Sequence, residues 1–143
     1  MKCKVIIDKK REQEVIIYAH ERTKYVKEIE QFINSCDFDL IGYDGKNTLM
    51  LNPSEVCCFI VEKNKVYALT ENEKLQLKQR LYQLEDNLGN SFVKINQSCL
   101  GNIKMIDRFD ASVSGALLVR FKNGYTDYVS RRQLKEVKER LGF

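Results

Sequence analysis

The sequence predicts a mostly β protein: antiparallel sheets with short helices, preceded by an N-terminal ββα extension. Three observations carry this. From about residue 40 onward, apolar runs of four to six residues alternate with turn signals, the spacing of strands joined by tight connections. Only a few segments have the 3.6-residue periodicity of an amphipathic helix, and all are short. The first 40 residues follow a different pattern, with KVIID (4–8) and EVIIYAH (14–20) reading as strands and TKYVKEIEQFINSC (23–36) as a helix. The domain division that follows is 1–39, a ββα segment suited to dimerisation or regulation, and 40–143, the principal domain.

In the first helix, Tyr25, Ile29, Phe32 and Cys36, flanked by Val26 and Ile33, form one apolar stripe, and Thr23 can cap it. Beyond it, Tyr43-Asp44-Gly45-Lys46 reads as a two-residue Asp-Gly hairpin between LIGY and KNTLML, and Pro53 stops the second strand. VCCFIV (56–61) and KVYAL (65–69) flank a turn at Glu62-Lys63-Asn64-Lys65, and Glu71-Asn72-Glu73 separates VYALT from KLQLK. Leu77, Leu81, Leu84 and Leu88 mark one side of a short helix that Gly89 ends. FVKI (92–95) follows, then an uneven patch, NQSCLGN (96–102), read as a polar interruption with a turn at Gly101-Asn102, and then the strand IKMIDRF. In LLVRFKNGYTDYV the Asn123-Gly124 turn sets Arg120 against Asp127 and Val119 against Tyr128, placing Leu117, Val119, Phe121 and Tyr128 on one face. The last segment, VSRRQLKEVKERL (129–141), is a helix with an S-x-x-Q capping box of Ser130 and Gln133.

Composition restricts the function. Of 143 residues, 43% are hydrophobic and 31% charged, which is globular. The longest apolar runs are too short to cross a bilayer, and the N-terminus does not read as a signal peptide. The five cysteines have no C-x-x-C spacing and lie mostly in apolar runs, as core-filling thiols of a reducing cytoplasm do; a redox or metal role for adjacent Cys57 and Cys58 is the alternative. The single histidine, His20, has no triad context, phosphate-binding glycine loops are missing, and no Cys/His spacing suits zinc. Catalytic residues, metal ligands, a cofactor and a small-molecule substrate are therefore not expected, nor is an enzyme.

The net charge of +4 is unevenly distributed. Residues 1–40 carry eight basic and eight acidic groups, 41–90 six and seven, and 91–143 ten and five. A basic surplus confined to the last third orients an anionic partner. Within that third, Arg131 and Arg132 occupy the first turn of the last helix, where each forgoes on the order of 0.3 to 1 kcal/mol of dipole compensation. A guanidinium fork at a helix N-terminus suits phosphate or the O6/N7 edge of guanine; a solvated surface pair is the bland alternative. Asn96, Gln97 and Ser98 offer amide and hydroxyl groups for a base edge or a phosphate, although turn chemistry explains them as well.

Three pieces in order then resemble the LytTR family of bacterial DNA-binding domains: LNPSEVCCFIVEKNKVYAL, FVKINQSCLGNIKMI after the helix RLYQLEDNL, and FKNGYTDYVSRRQLKEVKERL. The second is similar to the family's F-x-r-v-H-r-S-y-l-v-N, and the third to its l-x-n-G…v-S-R-r ending. The resemblance covers roughly residues 40–143. It implies an elongated stack of β-sheets presenting three loops to successive major grooves and bending the duplex. Carried over, the loops are Lys63, Asn64 and Lys65; Asn96, Gln97 and Ser98; and Ser130, Arg131 and Arg132. Asn96 stands where the family often has His, Gln97 where it often has Arg, Cys99 where an aromatic is common, and Gly101 where a branched residue is usual. Receiver domains commonly precede such domains, but about 40 residues are too few for one of roughly 100, and Asp8 reads as a lone strand-end acid. The expectation is a stand-alone, cytoplasmic, response-regulator-like transcription factor on double-stranded promoter DNA with paired repeats. A homodimer and a restraining membrane-protein inhibitor are the partners the reading allows. The competing reading is a protein-interaction module docking an acidic or membrane-anchored partner. An RNA-binding β module ranks below both, because no aromatic platform is evident.

Overall fold

The computed structural model describes residues 2–36, 39–112 and 114–143, with backbone alone for 34–36. It contains α1 (Lys24–Cys36), β1 (Leu40–Tyr43), β2 (Thr48–Leu51), β3 (Cys58–Glu62), β4 (Lys65–Leu69), β5 (Lys74–Leu77), α2 (Leu81–Leu88), β6 (Phe92–Asn96), β7 (Cys99–Asn102), β8 (Ile106–Ala111), β9 (Leu117–Phe121), β10 (Thr126–Tyr128) and α3 (Arg131–Leu141). Seven strands form one antiparallel sheet in the order β2-β1-β5-β4-β3-β7-β6, and three form a second in the order β10-β9-β8.

The larger sheet is covered on both faces. On one, Cys58, Ile60, Leu69 and Cys99 pack with Val119 and Phe121 of β9, Val129, and Val137 of α3. On the other, Phe59, Val66, Ala68, Leu77 and Leu100 pack with Leu84 and Leu88 of α2. This explains the unbroken apolar run at 56–61. Strand β3 lies between two cores and buries both its faces, so strict alternation would leave a polar side chain inside. Each fully buried Phe or Leu there contributes about 1.5 to 3 kcal/mol.

Several local expectations change. Residues 4–8 and 14–20 form no strands; Val5, Ile6, Ile7, Val15, Ile16 and Tyr18 are exposed. A two-stranded hairpin with nothing beneath it is marginal in water, so of the ββα extension only the helix is present as expected. Thr23 caps α1 by accepting from the Val26 N–H at 3.3 Å. The face of α1 that is half-buried carries Val26, Ile29 and Ile33, while Tyr25 and Phe32 are exposed.

The patch 96–102 is not merely an interruption, since Cys99–Asn102 is a fully buried strand inserted between β3 and β6. Gly101 lies in that strand and not in a turn. A Cβ there would meet Phe121 Cζ at 2.8 Å, so the missing side chain lets the second sheet approach the first. Asn102, the one buried polar side chain among the described residues, donates to Val56 O at 2.9 Å and accepts from the Lys104 N–H at 3.1 Å.

Two hairpins differ in register. Tyr43 pairs with Thr48, so the first turn has four residues, with Asp44 Oδ1 accepting from the N–H groups of Lys46 and Asn47. Between β9 and β10, Thr126 pairs with Arg120, Asp127 with Val119, and Tyr128 with Leu118. Gly124, at φ +87°, supplies the left-handed residue of a three-residue loop. That one-residue shift flips every side chain of β10. Asp127 turns inward beside Val119, and Tyr128 turns out, 56% exposed.

Candidate nucleic-acid interface

Antiparallel pairing brings the three sequence-predicted loops to one edge of the molecule. Ile60 of β3 pairs with Cys99 of β7, so the turn leaving β3 and the turn entering β7 lie at the same end. The Val61 N–H donates to Ser98 O at 2.9 Å and ties them together. The register of β6 slips between Lys94 and Asn96. At that bulge, Ile95 O accepts the Ser130 N–H at 2.9 Å, which joins the second loop to the start of α3.

The first loop is a two-residue turn with Lys63 at φ +52° and Asn64 at φ +63°, the I′ geometry that suits a twisted hairpin. Lys63, Asn64 and Lys65 are all exposed. At its base, Glu62 pairs with Lys74 at 2.8 Å, and that lysine holds the Glu62 carboxyl below its usual range. The adjacent acid is thus already neutralised. Lys78, one residue beyond Leu77, the partner of Val66, is also exposed beside Lys65. Only the strand register brings it there; nothing in the local sequence distinguished it.

In the second loop, Gln97 and Ser98 are exposed, but Asn96 is half-buried and fully engaged. Its Nδ2 donates to Asp127 Oδ1 at 3.0 Å and to Tyr128 O at 2.8 Å, while its Oδ1 accepts from the Ser98 N–H at 2.8 Å. Asn96 therefore braces the loop. Asp127 is the other half of the brace, because its Oδ1 also accepts the Tyr128 N–H at 2.8 Å and its Oδ2 the Tyr125 hydroxyl at 3.1 Å. Burial, reinforced by the Asp127 carboxylate, pushes the Tyr125 phenol well above its ordinary range. Beneath the brace, the Cys99 thiol is likewise pushed up, by its hydrogen bond with Cys58 and then by burial.

The third loop departs from its expected capping. Ser130 is the N-cap of α3, but its side chain makes no capping hydrogen bond. The Ser130 N–H, which a Gln133 side chain would have accepted from in a capping box, is given to Ile95 O instead. Arg131 and Arg132 are exposed, and among the described residues neither forms an ion pair. The opposite end of α3 is anchored by Arg140, which donates to Phe92 O at 2.8 Å and to Asn90 O. The edge thus carries uncompensated cations, exposed amide and hydroxyl groups, and a helix N-terminus on a rigid support.

Among the described residues, no group of three or more His, Cys, Asp or Glu side chains could hold a metal ion, and no helix is long and apolar enough to cross a membrane.

Comparison with known proteins bears on the family and the fold. Two Staphylococcus aureus proteins designated uncharacterized HTH-type transcriptional regulators are similar to this chain. That of strain MSSA476 is 35% identical over 144 residues, covering 99% of this chain and 98% of its own. That of strain N315 is 35% identical over 132 residues, covering 91% and 90%. Both alignments reach well into the first 40 residues. In this chain the described helices are separated by strands, so no helix-turn-helix occurs among the described residues. A solved LytTr DNA-binding domain from Bacillus cereus superimposes with a TM-score of 0.68 at 21% identity, covering 73% of this chain and 97% of that one. The sequence pattern of the LytTr DNA-binding domain matches residues 46–142, and the chain belongs to that family.

Proposed function

We propose that the chain is a sequence-specific regulator of transcription that grips duplex promoter DNA with the three turns described above, each entering a major groove. The observation that carries this is the gathering of Lys63, Lys65, Gln97, Ser98, Arg131 and Arg132 along one edge, where the neighbouring acid, Glu62, is already paired with Lys74. Ser130 contributes a hydroxyl left free by the unused cap, and Asn96 holds the second loop in place. In this reading Arg132 reads a base edge and Lys63 holds a phosphate, since a planar fork discriminates donors and acceptors while an ammonium does not. Residues 40–143 bind DNA; residues 1–39 make a homodimer that matches paired repeats in the promoter. Regulation then rests on abundance, assembly or a membrane-bound inhibitor. The protein works in the cytoplasm and performs no catalysis.

Selection of bound duplexes from a random pool, followed by fluorescence-anisotropy titration of the selected sites, tests the proposal. A recurring motif bound far more tightly than scrambled duplex is expected; no duplex binding at low salt would overturn it.

A further inference from the structure

The N-terminal segment exposes apolar side chains that nothing among the described residues covers: Val5 is 79% exposed, Ile6 75% and Ile7 87%. A β-branched run with open backbone groups is a pairing edge. Within one chain, the register that pairs isoleucine with isoleucine at Ile6 and Ile16 is opposed by charge. A hairpin setting Ile6 against Ile16 puts Asp8 directly across from Glu14, and like charges opposite one another destabilise a ladder.

Pairing with a second copy reverses the sign. When KVIID runs antiparallel to the same segment of another chain, centred on Ile6, Val5 faces Ile7 and Lys4 faces Asp8, and the two-fold axis repeats that charge pair at the other end. The ladder stops at Asp8 because the chain turns there. The Lys10 N–H donates to Asp8 Oδ1 at 3.0 Å, and Arg11 Nε lies 3.7 Å from Asp8 Oδ2. The like-charged Lys2 and Lys10 therefore do not extend the pairing.

We infer that residues 4–8 are the dimer strand, pairing antiparallel with residues 4–8 of a second copy about a two-fold axis at Ile6. This rests on the homodimer reading above and adds to it which strand is shared and in what register.

The test uses the full-length chain without DNA. Light scattering is expected to give about twice the chain mass for the wild type, and Ile6→Asp, which places two carboxylates on the axis, is expected to weaken association at least tenfold. With Cys3 and Cys36 replaced by Ser, Ile6→Cys should form a disulfide-linked dimer under mild oxidation and Ile16→Cys should not. A monomeric wild type at every concentration overturns both the homodimer and the strand assignment. A dimer that Ile16→Cys cross-links and Ile6→Cys does not overturns the strand assignment and leaves the homodimer standing. Anisotropy on a single half-site reports DNA binding independently of either result.

Discussion

Ser130 stands at the N-cap of α3 with its hydroxyl unused, and this changes what its removal should do. A working Ser cap is worth about 1 kcal/mol. Here the backbone N–H, bonded to Ile95 O, secures the helix start. Ser130→Ala is expected to shift the unfolding free energy in urea by less than about 0.5 kcal/mol while weakening duplex binding; a loss of 1 kcal/mol or more would restore the capping role. Tyr125 allows a second prediction. Its folded-state pKa is raised above the ordinary 10.0, as those of the Cys57 and Cys99 thiols are above 9.0. Groups that hold their protons more tightly when folded stabilise the fold below their unfolded pKa values, and that contribution is lost as pH climbs through the folded ones. The thermal midpoint should therefore be insensitive to these groups up to about pH 9 and fall above it. Tyr125→Phe should start lower, having lost the bond to Asp127, but decline less steeply beyond pH 10. A parallel decline in both proteins would remove Tyr125 from the account.

Elements were legible to different degrees. The apolar run of β3 and the helical spacing of α2 and α3 announce themselves, because a strand or helix that faces a core must repeat its apolar residues at its own period. Strand β7 does not, since Cys-Leu-Gly-Asn has neither alternation nor β-branched residues. Its strand character comes from β3 and β6 on either side and from the Phe121 ring over Gly101. The turn between β9 and β10 was recognisable from Asn123-Gly124, but a two-residue and a three-residue loop have the same signature, and only packing chooses between them. The choice has a consequence. With Asp127 turned inward, Asn96, Asp127 and Tyr125 form a brace between the second and third loops. Asp127→Ala breaks it and should cost about 1.5 to 3 kcal/mol of stability, the range for hydrogen bonds to a charged group. Duplex affinity should fall by more than that of a mutant destabilised equally at Val137, if the brace sets the spacing of the two loops. Equal affinity losses would make it a stability element alone.

At the scale of the whole molecule, the three turns form one surface because strand order returns each of them to the same edge. Binding through that surface should weaken steeply with salt, with a log–log slope of about 0.9 per phosphate contact in B-form DNA. Lys63→Ala should lower the slope by about 1 and weaken all sequences alike, whereas Arg132→Ala should also relax preference at one base pair by about 1 to 3 kcal/mol. Uniform weakening in both mutants would place Arg132 on the backbone.

The chain by itself determined its class, its helices, most of its strands, the basic character of its last third and the polar turns on which the proposed function rests. Those properties follow from periodicity, turn residues and charge, which are local or additive along the chain. Tertiary structure alone decided that β7 is a strand, that Asn96 braces while Gln97 and Ser98 are presented, that Lys78 joins the first loop, and that Ser130 is held by a β-bulge. Each of these depends on a partner distant in sequence: Asp127 lies 31 residues from Asn96, and no local pattern encodes which of several compatible registers the two sheets adopt when they pack.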